Sequence, residues 1–174
     1  MHLNAENTND VSADLYALSE NSNFVICSGA KSILDLSKTN ELLETLGITR
    51  IGYQTNYMPG FWYEETENKV DNKFDEIHEI SSFLKLNENM GNKKSILIFN
   101  KVPLEKALNK NDVEKWINNA TIKADRNNIS GKELTPFLIK EINEQSKNET
   151  LNANVSLIIN NANLAGKIAK SFYS

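Results

Sequence analysis

Cysteine occurs once in this 174-residue chain, as Cys27. That excludes an internal disulfide and a cage of cysteine ligands around a metal. Cys27 sits inside an apolar run, where a small buried hydrophobe is the plain reading and a reactive thiol the alternative. Long apolar runs are lacking too: no segment approaches the roughly 18 apolar residues of a membrane span. The opening MHLNAENTND has neither a basic leader nor an apolar stretch, so it does not read as a secretory signal, and it lacks the arginines of a transit peptide. The expectation is a cytoplasmic protein. Positive charge is in deficit, and a net charge of −4 favours neither nucleic acid nor an anionic membrane as partner. Glycine-rich phosphate signatures are missing, both GxGxxG and GxxxxGK[ST], and so is the GxSxG of a serine nucleophile. Neither His2 nor His78 has a partner at metal-helix spacing.

What is present suits one soluble domain. The chain is long enough for a real core, and 40% apolar with 24% charged residues is an ordinary globular balance. Ser12 is placed as an N-cap, with Asp14 in the first turn of a short helix where a carboxylate suits the helix dipole. FVICS then reads as a buried strand. From Ser32 the spacing predicts a helix through Ile33, Leu34, Leu42, Leu43 and Leu46, with a break near Ser37 and Gly47 as its C-terminal stop. ITRIGYQT reads as a second strand, with Thr49, Ile51 and Tyr53 on the core face and Ile48 and Arg50 on the other. An irregular connection carries Phe61, Trp62 and Tyr63, read as an anchor on the core, with a ligand-stacking wall as the alternative.

Phe74, Ile77, Ile80, Phe83 and Leu84 recur at helical spacing, and His78 falls among their solvated neighbours. SILIFNKV is a third strand. Val113, Trp116, Ile117, Ala120 and Ala124 mark a helix. Thr135 and Pro136 read as the N-cap and first position of the next helix. The final helix is drawn by Val155, Ile158, Ile159, Ala162, Ala165, Ala169 and Phe172. Strands alternating with helices predict an α/β fold with parallel pairing. Three strands make a thin sheet, which suggests part of something larger.

Three features carry possible chemistry. Lys31 follows a strand end, where α/β folds place their sites. Most lysines are solvated surface charges, but Gly29 just before it lets backbone approach a ligand. A lysine held and desolvated there can attack a carbonyl carbon as a neutral amine. In NDVSADL, Asp10 and Asp14 flank Ser12 and offer oxygen ligands for a hard cation, while the amides near Ser12 suit a phosphate. The plain alternative is a capped helix start with two dipole-friendly acids. Asn154 and Asn161 lie two turns apart on one helix face, although asparagine is so common here that chance is the first explanation of the pair.

Taken together, HLNAENTNDVSADLYAL, VICSGAKSILDLSKTNELLETLGITRIGYQT, GKELTPFLIKEI and LNANVSLIINNANLAGKIAK resemble the pseudouridine-5′-phosphate glycosidase family, also called the indigoidine synthase A family. The resemblance runs from His2 to about Phe172 and corresponds to the C-terminal portion of a member, so residues 1–174 are expected to form part of a single domain whose N-terminal portion is missing. It implies a layered α/β/α fold and homotrimers. It implies reversible cleavage of the carbon–carbon bond of pseudouridine 5′-phosphate, giving uracil and ribose 5-phosphate, with a divalent metal, usually manganese. It places a Schiff-base lysine on Lys31, a metal-binding aspartate on Asp10, and substrate contacts on Ser12, Ala13 and Asp14. An active-site histidine falls on His2 and an active-site asparagine on Asn154. The family's glutamate general acid and a phosphate-contacting lysine have no counterpart here. The loop GFWYEETENKVDN departs from the family pattern, and Lys101 stands where a proline is expected. Three functions follow: a truncated glycosidase; a non-catalytic remnant that binds metal or sugar phosphate or pairs with full-length subunits; and an unrelated Schiff-base lyase of aldolase type.

Overall fold

The computed structural model describes residues 11–174. Within them lie four strands, β1 (Phe24–Cys27), β2 (Thr49–Tyr53), β3 (Asn72–Phe74) and β4 (Ile96–Phe99). Six α-helices accompany them: α1 (Ala13–Glu20), α2 (Leu36–Thr45), α3 (Ile77–Asn89), α4 (Lys110–Arg126), α5 (Leu134–Gln145) and α6 (Glu149–Tyr173). The strands form one sheet in the order β1-β4-β2-β3, and every pairing is parallel. Parallel strands need crossovers; helices supply those from β1 to β2 and from β3 to β4, and an irregular segment, residues 54–71, supplies that from β2 to β3.

Alternation along the strands sorts the core into two layers. Ile96 and Ile98 of β4 face one way, toward Ile80 and Leu84 of α3 and Leu164 and Ile168 of α6. Leu97 and Phe99 face the other way, toward Leu15 of α1 and Leu43 of α2. A third cluster joins α4, α5 and the start of α6 around Val113, Ala120, Leu138 and Ile142, with Trp62 and Tyr63 packed into it. The result is the expected α/β/α layering with a helical annex.

Several expectations are corrected. There are four strands, not three, because Asn72–Phe74 pairs with β2. Phe74 therefore ends a strand instead of opening a helix, although its ring still packs against Phe83 at 5.5 Å. The helix expected from Ser32 begins at Leu36, where Asp35 caps it by accepting from the Lys38 amide at 2.9 Å. Ser37 lies inside it without a break, and residues 32–34 belong to a turn closed by the Leu34 amide on the Lys31 carbonyl. Thr135 and Pro136 sit within the first turn of α5, which starts one residue earlier.

β2 is covered on both faces, since parallel sheets bury both sides. Ile51 is fully buried, and Arg50 is buried as well. Arg50 is held by Asp71, whose carboxylate accepts from the Arg50 amide at 2.7 Å and from the guanidinium at 2.5 and 3.2 Å. The final helix turns a different face inward from the one drawn by its apolar spacing. Ala153, Leu157, Leu164 and Ile168 are buried, while Val155, Ile158 and Ile159 are 52%, 63% and 56% exposed.

Candidate active site

The loop after β1 positions Lys31. Gly29 has φ +83, and a Cβ there would stand 2.2 Å from the Pro59 carbonyl oxygen, so only glycine fits. The two loops grip each other further. The Phe61 amide donates to the Ser28 carbonyl at 3.1 Å, and the Ser32 hydroxyl donates to the Gly60 carbonyl. The Pro59-Gly60 turn and the lysine segment thus form one unit, with Lys31 at its exposed tip.

A cavity of about 630 Å³ opens beside it. Ser12 and Asp14 at the start of α1 and Lys31 share this cavity, together with Gly29, Phe61 and Thr135. Its far wall is apolar, formed by Val25, Cys27, Leu97 and Phe99. Ser12 caps α1 as expected, accepting from the Asp14 amide at 3.3 Å, and its hydroxyl donates to the Asp14 carboxylate at 3.0 Å. Among the described residues lining the cavity, Asp14 is the one carboxylate and Lys31 the one amine. Burial pushes the Cys27 thiol up to about 11, against the Gly29 backbone N–H, which acts in the opposite direction. Cys27 is half-buried on the cavity wall instead of fully buried, and its raised thiol opposes the reactive-thiol alternative, because reactivity belongs to the thiolate.

Other expected site residues are placed elsewhere. Ala13 is exposed and does not line the cavity. Asn154 accepts from the buried Trp62 indole N–H at 2.8 Å, away from the cavity wall. His2 and Asp10 lie outside the described residues. Manganese, which the resemblance assigns to Asp10, finds no donor set elsewhere: among the described residues no three His, Cys, Asp or Glu side chains gather to hold a metal.

The asparagines of α6 act as ties to the loops that follow the strands. Asn161 Nδ2 donates to the Ser28 hydroxyl at 3.1 Å, and its Oδ1 accepts from Asn100 at 3.0 Å. Asn160 donates to the Lys101 carbonyl at 3.1 Å. Asn154 and Asn161 both bond to specific loops, so each has a structural role. The aromatic loop divides its roles. Trp62 and Tyr63 are buried anchors, whereas Phe61 joins the cavity wall. Its two departures from the family pattern meet, because Lys101 pairs with Glu65 at 3.3 Å and Glu64 at 3.5 Å. Thr135, read from the sequence as a cap, is a lining residue that spacing alone missed.

A family model described as "Indigoidine synthase A like protein" matches residues 1–171. The chain belongs to the indigoidine synthase A-like family. A pseudouridine-5′-phosphate glycosidase of Petrotoga mobilis is 44% identical over 172 residues, covering 99% of this chain and 56% of the relative. A pseudouridine-5′-phosphate glycosidase of Staphylococcus aureus is 42% identical over 169 residues, covering 97% and 55%. The chain thus spans little more than half the length of the curated relatives it matches. Among solved structures, the prealnumycin C-glycosynthase AlnA in complex with ribulose 5-phosphate superposes with a TM-score of 0.92 at 28% identity, covering 98% of this chain and 56% of that one. An indigoidine synthase A-like protein of Thermotoga maritima gives 0.82 at 34% identity, covering 92% and 53%. No helix among the described residues is long and apolar enough to cross a membrane.

Proposed function

We propose that this chain carries the lysine-bearing part of an enzyme that cleaves pseudouridine 5′-phosphate, reversibly, to uracil and ribose 5-phosphate. The observation that carries the reading is the shared cavity of Lys31, Ser12 and Asp14, with Lys31 set at its mouth by the Gly29–Pro59 contact. The names of the relatives and the sugar phosphate bound by the AlnA neighbour support the substrate class.

A C-glycosidic bond has no heteroatom to leave, so the chain must supply an electron sink. In the proposed reaction the Lys31 nitrogen bonds to ribose C1′ as the C1′–ring-oxygen bond breaks, and the ring oxygen takes a proton. The C1′–uracil bond then breaks. Its electron pair goes to the uracil carbon, which takes a proton from a general acid, and an iminium is left at C1′. Water adds to the iminium, and expulsion of the amine returns Lys31 and frees ribose 5-phosphate. The Ser12 hydroxyl can donate to a sugar oxygen or phosphate at the mouth, and the Asp14 carboxylate can accept from sugar hydroxyls. Lys31 is exposed in this chain, within reach of a substrate in the cavity.

Homotrimer formation and a divalent cation at Asp10 belong to the same proposal. The exposed apolar stripe Leu151, Val155, Ile158 and Ile159 on α6 supports self-association. It equally favours a second reading, a binding remnant that pairs with larger subunits. Uracil release separates the two. Pseudouridine 5′-phosphate is incubated with the chain, with and without Mn2+, and free uracil is quantified by chromatography. Release that disappears in Lys31→Arg supports the enzyme, and release unaffected by that change contradicts the lysine's role. Binding of ribose 5-phosphate with no borohydride-trapped adduct on Lys31 supports the remnant.

A further inference from the structure

We infer that Asn161 of α6 is a positioning residue for Lys31, acting through the Ser28 hydroxyl from the layer opposite the cavity. Ser28 directly follows β1 and is 2% exposed; Asn100 directly follows β4 and is 6% exposed. Both turn their side chains to one partner. Asn161 Nδ2 donates to the Ser28 hydroxyl at 3.1 Å, and Asn161 Oδ1 accepts from Asn100 Nδ2 at 3.0 Å. One side-chain amide thus pins the C-terminal ends of two neighbouring strands, which are joined there by the Asn100 amide on the Cys27 carbonyl at 2.9 Å. Apolar packing would fill the same space. Paired donors and acceptors do more, because they fix the direction in which the chain leaves the sheet.

The lysine loop is held at both ends. At its start the Ser28 carbonyl accepts from the Phe61 amide at 3.1 Å, while the Ser28 hydroxyl is held by Asn161. At its end the Leu34 amide donates to the Lys31 carbonyl at 2.8 Å, and the Ser32 hydroxyl donates to the Gly60 carbonyl. Between these points Gly29, Ala30 and Lys31 line the cavity, whereas Ser28, Asn100 and Asn161 do not. α6 reaches Ser28 from the other face of the sheet, where its Leu164 and Ile168 pack against Ile96 and Ile98. Asn161 therefore does not touch a substrate in the cavity; it sets where the amine stands. A reacting group misplaced by about 1 Å can lose on the order of 100-fold in rate, so one amide behind the sheet is enough to govern the step. The catalytic consequence rests on Lys31 being the nucleophile, as proposed above; the tie itself does not.

The test reads loop order and lysine chemistry separately in the purified chain. Hydrogen exchange at the Leu34 and Phe61 amides needs no sugar phosphate. Borohydride trapping with ribose 5-phosphate gives the limiting rate and the half-saturation of the Lys31 adduct. Asn161→Leu removes both ties. Ser28→Ala removes the hydroxyl alone and leaves Asn161 bonded to Asn100, so it remains readable if the first variant does not fold. Each should speed exchange at both amides roughly tenfold or more and cut the limiting rate roughly tenfold, with half-saturation changed less than about twofold. The double variant should be no slower than the slower single one, because both act through one bond. Asn161→Asp keeps an oxygen for Asn100 and for the Ser28 hydroxyl, which can turn to donate, and should recover most of the rate. Asn160→Ala cuts the neighbouring tie to the Lys101 carbonyl and should alter neither reading. The inference is overturned by unchanged exchange in Ser28→Ala, by equal acceleration in Asn160→Ala, or by a Lys31 limiting rate that stays at the parent value in Ser28→Ala. A parent chain that forms no adduct on Lys31 overturns the proposed reaction instead, and the exchange rates still decide the tie.

Discussion

Replacing Gly29 by alanine tests the geometry that places the lysine. Two costs combine at this position. The first is the left-handed backbone, φ +83, which charges a residue with a Cβ about 1–2 kcal/mol. The second is the contact at 2.2 Å with the Pro59 oxygen, well inside the 3.0 Å that real Cβ contacts keep. The obstacle is backbone, and it cannot swing aside. The Met58 amide is bonded to the Asn68 carbonyl at 2.8 Å, the Gly60 amide to the Tyr63 carbonyl at 3.1 Å, and Ser32 to Gly60. Forcing such a contact apart costs about 1–3 kcal/mol, as overpacking does. The sum is about 2–5 kcal/mol of stability.

Gly91→Ala supplies the internal control. Gly91 has φ +74, yet a Cβ there would meet nothing within 4 Å. It carries the backbone strain alone, partly offset by the smaller entropy of an unfolded chain with alanine, for a net loss of about 1 kcal/mol. Urea unfolding followed by circular dichroism reads both variants, and a slope of about 1–3 kcal/mol/M converts the predicted gap into a midpoint difference on the order of 1 M. Equal midpoints for the two variants would refute the close approach of the lysine loop to Pro59, and with it the account of how Lys31 is positioned.

Other consequences can be checked in the same preparation. Because burial raises the Cys27 thiol to about 11, alkylation by iodoacetamide should be slow at pH 8, where roughly one molecule in a thousand is thiolate. The rate should climb toward pH 11, and a midpoint near the ordinary cysteine value would contradict the burial. The same shift carries a sign for stability: its contribution is fully present below about pH 8.5 and is lost as pH rises toward 11, because the unfolded thiol ionises first. Trp62→Phe leaves the Asn154 carbonyl without its indole donor and should cost about 1–3 kcal/mol; adding Asn154→Leu should recover part of that loss. Additive effects would mean that the bond contributes nothing. Asp71→Asn removes the shorter of two ion pairs on the buried Arg50 and leaves Glu44 at 3.4 Å; since Asp71 is 36% exposed, the loss should fall below the 3–5 kcal/mol typical of buried pairs, at about 1–3 kcal/mol by thermal melting.

The layered fold was legible because the strands FVIC and ILIF are continuous apolar runs and the helices carry clear stripes. β3 was not, because Asn72 and Lys73 are exposed and polar; that strand exists through its pairing with β2 and the Arg50–Asp71 anchor just before it, which are long-range facts. Ile33 and Leu34 continue the apolar spacing of α2 although they belong to a turn, and the true start signal is the Asp35 cap. Of the site, Lys31, Ser12 and Asp14 could be read from short motifs and do share a cavity. Asn154 was read as a site residue, but its partner Trp62 lies 92 positions away in an irregular loop, and no local pattern announces that contact. Thr135 reaches the cavity from α5 for the same reason: helix packing brings it there, not spacing.

The most direct measurement is borohydride trapping. The purified chain is incubated with ribose 5-phosphate, whose imine with an amine forms without any uracil general acid, and is then reduced and digested for peptide mass spectrometry. The account predicts one sugar-phosphate adduct, on Lys31, absent from Lys31→Arg and diminished in Gly29→Ala. Adducts spread over the chain's other lysines in proportion to their exposure, or none on Lys31 in a chain whose circular dichroism shows it folded, would contradict the claim that this loop delivers the nucleophile.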